Sequence, residues 1–413
     1  MTMLADLLST VFERRYRAAD TRHDSRSTPE LMQALVGATG EVSGIVIAAL
    51  ILDRFEAMAD DDKLAFFHQI AAMNIDPDRV RDTLADYEQT PGKQSYRAFL
   101  AAAEPPRQEL IRRMNQVPAA TGRLVRMRAD LLRLGRDDAQ LQALDLDFRH
   151  LFASWFNRGF LVLRPINWSS PAEILDKIIA YEAVHAIDSW DDLRRRLQPA
   201  DRRCFAFFHP AMPDEPLIFV EVALTQGVPG SIQQLLAEDR APLRAGDADT
   251  AVFYSISNCQ AGLAAVSFGN SLIKQVASDL STELPALKTF VTLSPIPGLI
   301  KYVTDTGQNA DLTDDTALRQ LAAHYLIEAK QTSGQPLDPV ARFHLGNGAQ
   351  VHAVHARADI SPNGMAQSGG AMVNYLYDLA RVSQNHERFA SQAEVIADAE
   401  PRALVAAYTK NQS

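Results

Sequence analysis

Residues 250–298, TAVFYSISNCQAGLAAVSFGNSLIKQVASDLSTELPALKTFVTLSPIPG, decide how the rest of the chain is read. Ala251 to Ile256 is short, apolar and rich in β-branched and aromatic residues, which predicts a buried strand. Asn258 to Asn270 breaks the pattern, with Gly262 and Gly269 at positions where backbone can turn sharply or approach a ligand. Ser271 to Leu280 then places Leu272, Ile273, Val276 and Leu280 at helical spacing. Phe290 to Ser294 reads as a second buried strand. SPIPG closes it, because two prolines remove ladder donors and Gly298 frees the exit. A loop that opens a helix offers unpaired N–H groups and the positive end of the helix dipole, which favours a phosphate.

Working outward, 413 residues with 47% hydrophobic and 22% charged composition allow two folded domains whose cores need no covalent staples. The two cysteines, Cys204 and Cys259, form neither a disulfide framework nor a zinc-site spacing, and point to packing residues in a reducing compartment. A formal charge of -10 argues against nucleic acid as a principal partner, so an anionic ligand must meet a local positive pocket. At the N-terminus Leu4, Leu7, Leu8 and Val11 share one helical face rather than forming a signal-peptide core, and Asp6 and Glu13 do not fit a transit peptide. The longest apolar run, Ile45 to Leu52, is far short of the ~20 residues that span a bilayer. The expectation is a cytoplasmic protein without membrane segments.

Residues 1–160 read as helical throughout. Asp60, Asp61 and Asp62 stand before Leu64, Phe67 and Ala71, negative charge at a helix start followed by an apolar face. Leu110, Met114 and Val117, then Leu124, Met127, Leu131 and Leu134, recur every three or four residues with arginines between them. Such stripes are packing faces of a bundle and the arginines its solvated side. After Trp155 strands alternate with helices: GFLVLRPI, PAEILDKIIAYEAV, then RRCFAFFHP and PLIFVEVAL as neighbouring antiparallel strands joined by AMPDE. A helix over Ala317 to Lys330 follows. VARFHLGNGAQVHAVHARAD then reads as two apolar-alternating runs around an Asn347-Gly348 turn, which puts His344 on a strand.

Six segments in unbroken order resemble malonyl-CoA decarboxylases: EAVHAIDSWDDLRRR, HPAMPDEPLIFVEVAL, FYSISNCQAGLAAVSFGNSLIK, LSPIPG, LDPVARFHLGNG and MVNYLYDL. The resemblance implies an α+β two-domain chain. An all-α bundle over 1–160 mediates homo-oligomerisation, as a dimer or tetramer, and a catalytic α/β domain over 161–413 has a mixed sheet similar to the acetyltransferase (GNAT) superfamily. It implies decarboxylation of malonyl-CoA to acetyl-CoA and CO2, with no metal or prosthetic group and coenzyme A entering as part of the substrate. By position it makes Ser294 and His344 the catalytic pair. Ala264, Ala265, Val266, Ser267, Phe268, Gly269 and Asn270 become the malonyl-CoA contact loop, and Ser255 and Tyr377 polar residues of the same pocket. One departure stands out: Ala353, Val354, His355 and Ala356 replace an Arg-Ile-Asn-Trp run of the relatives.

Losing CO2 from a malonyl thioester leaves an enolate, so donors at the developing oxyanion lower the barrier and a titratable group near neutrality supplies the proton. Apart from the resemblance, His344 reads as a packed or surface histidine and Ser294 as a strand end. His352 and His355 fall on opposite faces of a strand and, with His344, lack a further ligand for a metal. His209 reads as a strand end and Glu221 as a solvent-facing or sheet-paired acid. A GNAT-type acyl-CoA transferase and a non-catalytic coenzyme-A-sensing scaffold are the competing readings; the first needs an amine acceptor, the second shows binding without turnover.

Overall fold

The computed structural model describes residues 24–37, 40–266, 272–308 and 311–412. The amphipathic face of Leu4, Leu7, Leu8 and Val11 lies outside them, as do Ser267, Phe268, Gly269 and Asn270. No helix among the described residues is long and apolar enough to cross a membrane.

The chain divides into two compact units. The first runs to Phe160 and takes in His209–Pro213 and a short segment beginning at Gln260. Its helices are Thr28–Val36, Glu41–Ala57, Asp60–Ala71, Pro77–Gln89, Lys93–Ala103, Pro106–Met114, Ala120–Leu134 and Ala139–Trp155. Local chemistry sets their starts. Asp60, Asp61 and Asp62 fill one first turn, and Asp76 and Asp138 cap the helices after them through side-chain oxygens. Of the apolar stripes Leu110, Met114, Leu124, Met127 and Leu131 are inaccessible, while Val117 and Leu134 are half-buried; phenylalanines pack in two groups, Phe55 with Phe66 and Phe67, and Phe152 with Phe148 and Phe156. Arg128 departs from the solvated reading of the arginines. It is buried, pairs with Asp145 at 2.7 Å, and donates to the carbonyls of Gly262 and Ala264 at 2.7 and 2.9 Å. Gly262 is needed where it stands, since a Cβ there would lie 1.8 Å from the Val125 carbonyl oxygen.

The second unit is built on one eight-stranded sheet: β1 (Val162–Ile166), β2 (Arg202–Phe208), β3 (Ile218–Thr225), β4 (Thr250–Asn258), β5 (Thr289–Thr292), β6 (Ser294–Pro295), β7 (Gln350–His355) and β8 (Met372–Leu376). The order is β1-β2-β3-β4-β5-β8-β6, with β7 also on β8. Strands β1 to β4 run antiparallel, as the RRCFAFF and IFVEVAL runs predict; β4 and β5 are parallel, which makes the sheet mixed. Helices Ala172–Tyr181 and Trp190–Leu197 bury Ile174, Leu175, Ile178 and Leu193 against Ala206, Phe208 and Phe219.

The predicted strand, loop, helix and strand are present as β4, the loop after it, helix Leu272–Glu283 and β5. Pairing of β4 with β5 covers only Thr250–Phe253 against Thr289–Thr292, with one further bond from Leu293 N–H to the Phe253 carbonyl. Beyond it, β4 continues to Asn258 on β3 alone. Two parallel strands thus part after a short common stretch. A bulge accompanies the parting: Val222 faces Phe253 but Glu221 faces Ser255, so Tyr254 is the extra residue.

Candidate active site

Ser294 opens β6 immediately after Leu293 interrupts the strand, and Pro295 and Pro297 let no ladder reform beyond it. His344 lies not on a strand but on the helix Pro339–Gly346. The reason is local: Asp338 caps the helix by accepting from the Ala341 N–H, and Pro339 at the first helical position has no N–H to lose. The Asn347-Gly348 turn remains, with Gly348 at φ 85°, but it joins a helix to β7 rather than two strands. Tyr377 follows β8, and its N–H bonds the Phe290 carbonyl of β5.

These three elements bring Ser294, His344 and Tyr377 together. Ser294 Oγ stands 3.1 Å from His344 Nε2, and His344 Nδ1 stands 2.8 Å from the Tyr377 hydroxyl. Ser294 donates its hydroxyl proton to Thr292 Oγ1 at 2.8 Å, and that oxygen also accepts the Tyr375 N–H at 3.1 Å. The directions follow by elimination. With its proton on Thr292, Ser294 accepts from Nε2–H, so Nδ1 accepts from Tyr377 O–H. The ring of Tyr375 stacks on the imidazole with centroids 4.6 Å apart.

The pair is buried: Ser294 is 5% and His344 2% exposed. Burial pushes the imidazole down to about 3, so at neutral pH His344 is uncharged rather than half-titrated. The same burial raises the Tyr377 phenol, which keeps its proton.

Ser255 does not join this group. Its hydroxyl bonds both carboxylate oxygens of Glu182 at 2.7 Å, and Ser257 bonds the same carboxylate at 3.3 Å. Glu182 also accepts the N–H groups of Val184 and His185. Glu221 is fully buried rather than solvent-facing. It lies 3.3 Å from Arg196, a contact that by itself lowers a carboxyl, yet burial and the Glu182 charge push it up to about 8. Burial prevails because Arg196 is shared with Asp192 and with the carbonyls of His185 and Ala186. Glu182, His185 and Arg196 line a cavity of about 650 Å³.

Of the contact loop, Ala264, Ala265 and Val266 are described; Ala265 takes φ 59°, an uncommon value for a residue with a Cβ. The three histidines do not converge. His352 bonds Asp398 at 2.6 Å, whereas His355 bonds Asn374. Among the described residues no group of three or more His, Cys, Asp or Glu is placed to hold a metal. His209 ends a strand as read, its Nε2 3.1 Å from the Trp155 carbonyl.

The sequence reading did not name Thr292, Tyr375, Glu182 or Asp338. Strand alternation offered the first two, because Thr292 precedes Ser294 and Tyr375 precedes Tyr377 by two residues, on the same face.

Comparison with known proteins decides the family. The model described as "Malonyl-CoA decarboxylase C-terminal domain" matches residues 159–316 and 305–413, and that of the N-terminal domain matches 73–156. The chain belongs to the malonyl-CoA decarboxylase family. A crystal structure of malonyl-CoA decarboxylase from Rhodopseudomonas palustris is 47% identical, covers 91% of this chain and 98% of its own, and superposes with a TM-score of 0.86. The enzyme from Agrobacterium vitis gives 46%, 91%, 99% and 0.87. The mitochondrial malonyl-CoA decarboxylase of Anser anser anser is 34% identical over 340 residues, 70% of this chain and 67% of its own length. Family and relatives alike make the chain a decarboxylase, a carboxy-lyase.

Proposed function

We propose that this chain converts malonyl-CoA to acetyl-CoA and CO2 through Ser294, His344 and Tyr377, with no metal or prosthetic group and with coenzyme A entering only as part of the substrate. The observation that carries the reading is the one-directional hydrogen-bond chain from Tyr377 through both imidazole nitrogens to Ser294. As the C–C bond breaks, its electron pair moves onto the thioester oxygen and CO2 leaves. The Nε2–H of His344 meets that oxygen, and a preorganised donor of this kind contributes ~3 to 4 kcal/mol. A neutral imidazole suits the task because its N–H is aimed by a partner on the far nitrogen and needs no counter-charge. The enolate carbon then takes the Nε2 proton as Nδ1 takes that of Tyr377; one proton from solvent at Nε2, with return of the Nδ1 proton to the phenolate, restores the chain. Ser294 orients the malonyl group with its hydroxyl. A neutral handle is better than a cation, which would stabilise the carboxylate that has to leave.

In this reading Ala264, Ala265, Val266, Ser267, Phe268, Gly269 and Asn270 contact the coenzyme A portion. Support comes from their place between the parting strand β4 and the helix Leu272–Glu283. The helical unit associates with copies of itself as a dimer or tetramer. What supports this is that Leu84, Tyr96 and Leu100 remain 39%, 49% and 48% exposed on two paired helices. The cytoplasm is the proposed compartment, supported by Cys204 and Cys259 being buried thiols.

The test is to incubate purified protein with malonyl-CoA and no acceptor, measuring acetyl-CoA and CO2. Equal amounts of both are expected. Folded protein that yields neither overturns the reading, and product that appears only with an added amine moves the chain to acyl transfer.

A further inference from the structure

Two of the three elements that bear the proposed site meet one buried residue outside it, Asp338, and its charge reaches the third. It is 0% exposed, and its Oδ1 accepts the Ala341 N–H at 2.8 Å, so it starts the helix on which His344 lies. Its Oδ2 faces the turn after Ser294. A Cβ placed on Gly298 would lie 3.8 Å from that oxygen and 2.1 Å from the hydroxyl of Tyr325, so only glycine lets the turn pack this closely. The third element is the β8 strand. Its Tyr375, stacked on His344, has its phenol raised by burial and then by the Asp338 charge, and the Tyr325 phenol is raised in the same way.

A helix cap alone does not call for this arrangement. Serine or asparagine caps as well as aspartate and buries no charge, whereas burial here pushes the Asp338 carboxyl up to about 6. The far oxygen, which capping does not use, is the one turned toward Gly298.

We propose that Asp338 is a positioning residue for the decarboxylation: it starts the helix of His344, packs its far oxygen, which has no hydrogen-bond partner among the described residues, against the turn after Ser294, and so fixes the approach of the two side chains. This rests on the function proposed above. The geometry gives the reason such a tie matters. Ser294 and His344 are 3.1 Å apart but lie on separate elements, and a misplacement of about 1 Å between reacting groups costs on the order of 10² in rate.

The experiment compares Asp338→Ala, Asp338→Ser and Asp338→Asn for turnover of malonyl-CoA, thermal unfolding and crystal structure. Asp338→Ala is expected to lower kcat by ~10 to 10² with KM changed by no more than about threefold, the signature of lost alignment. Its Ser294 Oγ to His344 Nε2 separation is expected to pass about 3.5 Å, out of hydrogen-bond reach. Asp338→Ser restores the cap but not the reach toward Gly298, so unfolding should return toward the wild type while kcat stays low. Asp338→Asn, nearly the same shape, should recover kcat to within about threefold. The proposal is overturned by wild-type kcat in Asp338→Ala, by serine restoring kcat together with stability, by asparagine being as slow as alanine, or by a Ser294–His344 separation that does not change. Failure of the proposed function reads differently: the wild type itself then yields no acetyl-CoA, and the crystallographic separation still judges the tie.

Discussion

The Ser294–His344–Tyr377 group and the Glu182–Arg196–Glu221 group both lie in the sheet-bearing unit, yet the first is a buried line of neutral groups and the second a knot of ionisable ones in which Glu182 is only half-buried. In the line each donor has one acceptor and a definite direction, so a proton can be handed along without separating buried charges. In the knot Arg196 holds the carbonyls of His185 and Ala186, while Glu182 holds the N–H groups of Val184 and His185. The charged groups thus hold backbone as well as the Ser255 and Ser257 hydroxyls and the Asp192 carboxylate.

The largest expected effect breaks the line. His344→Ala should lower kcat by ~10² to 10⁴, Ser294→Ala comparably, and the double mutant should be little worse than the slower single one. Because both side chains are buried and bonded, each change also costs ~1 to 3 kcal/mol in urea unfolding. Near wild-type turnover by His344→Ala would dissolve the distinction between line and knot. Next comes the knot. Arg196→Met leaves Asp192, the Glu221 carboxyl and the carbonyls of His185 and Ala186 without their shared donor, and a stability loss of ~1 to 3 kcal/mol is expected, with kcat per folded molecule nearly unchanged. A mutant that keeps its stability but loses turnover would assign Arg196 to chemistry instead.

Glu221 gives a third effect. Its carboxyl, ordinarily near 4.5, is raised to about 8, so its contribution to stability is fully present below 4.5 and is lost as pH rises toward 8. Unfolding free energy should thus decline on the order of a few kcal/mol across that window, and Glu221→Gln should flatten the decline. An identical pH dependence in both proteins would count against it. Ser255→Ala should be milder still, since its hydroxyl serves Glu182; a kcat loss as large as that of Ser294→Ala would return Ser255 to the site. The last expectation is of no effect at all. With His344 held down to about 3, log kcat/KM against pH should show no inflection near 6.5, and an inflection there would mean the imidazole titrates in the free enzyme.

Much of the fold was legible because the signals were local. Apolar runs bounded by glycine and proline marked β4 and β5, and the stripe of Leu110, Met114, Leu124 and Met127 marked helices that pack. His344 was misplaced because VARFHL is too short to separate a helix from a strand by period. The Asp338-Pro339 start, a cap followed by a proline, was the sign that decides it. For Glu221 the solvent-facing alternative fails for a different reason: β3 is buried on both faces over nearly its whole length, so alternation does not tell an outward residue from an inward one. Nor does any periodicity bring Ser294 to His344, 50 residues on; the resemblance named the pair and the coordinates put them 3.1 Å apart.

The clamp of Arg128 on the carbonyls of Gly262 and Ala264 bears on how such proteins can be cut and recombined. A chimera joined at Phe160 looks like a clean exchange of modules. It would nevertheless take the loop's first turn from one parent and the guanidinium that holds it from the other, along with the Val125 carbonyl that tolerates only glycine at 262. A deletion that keeps only the sheet strips that loop of its anchor. The helical half is thus an inherited partner of the loop, and the two must be transplanted together.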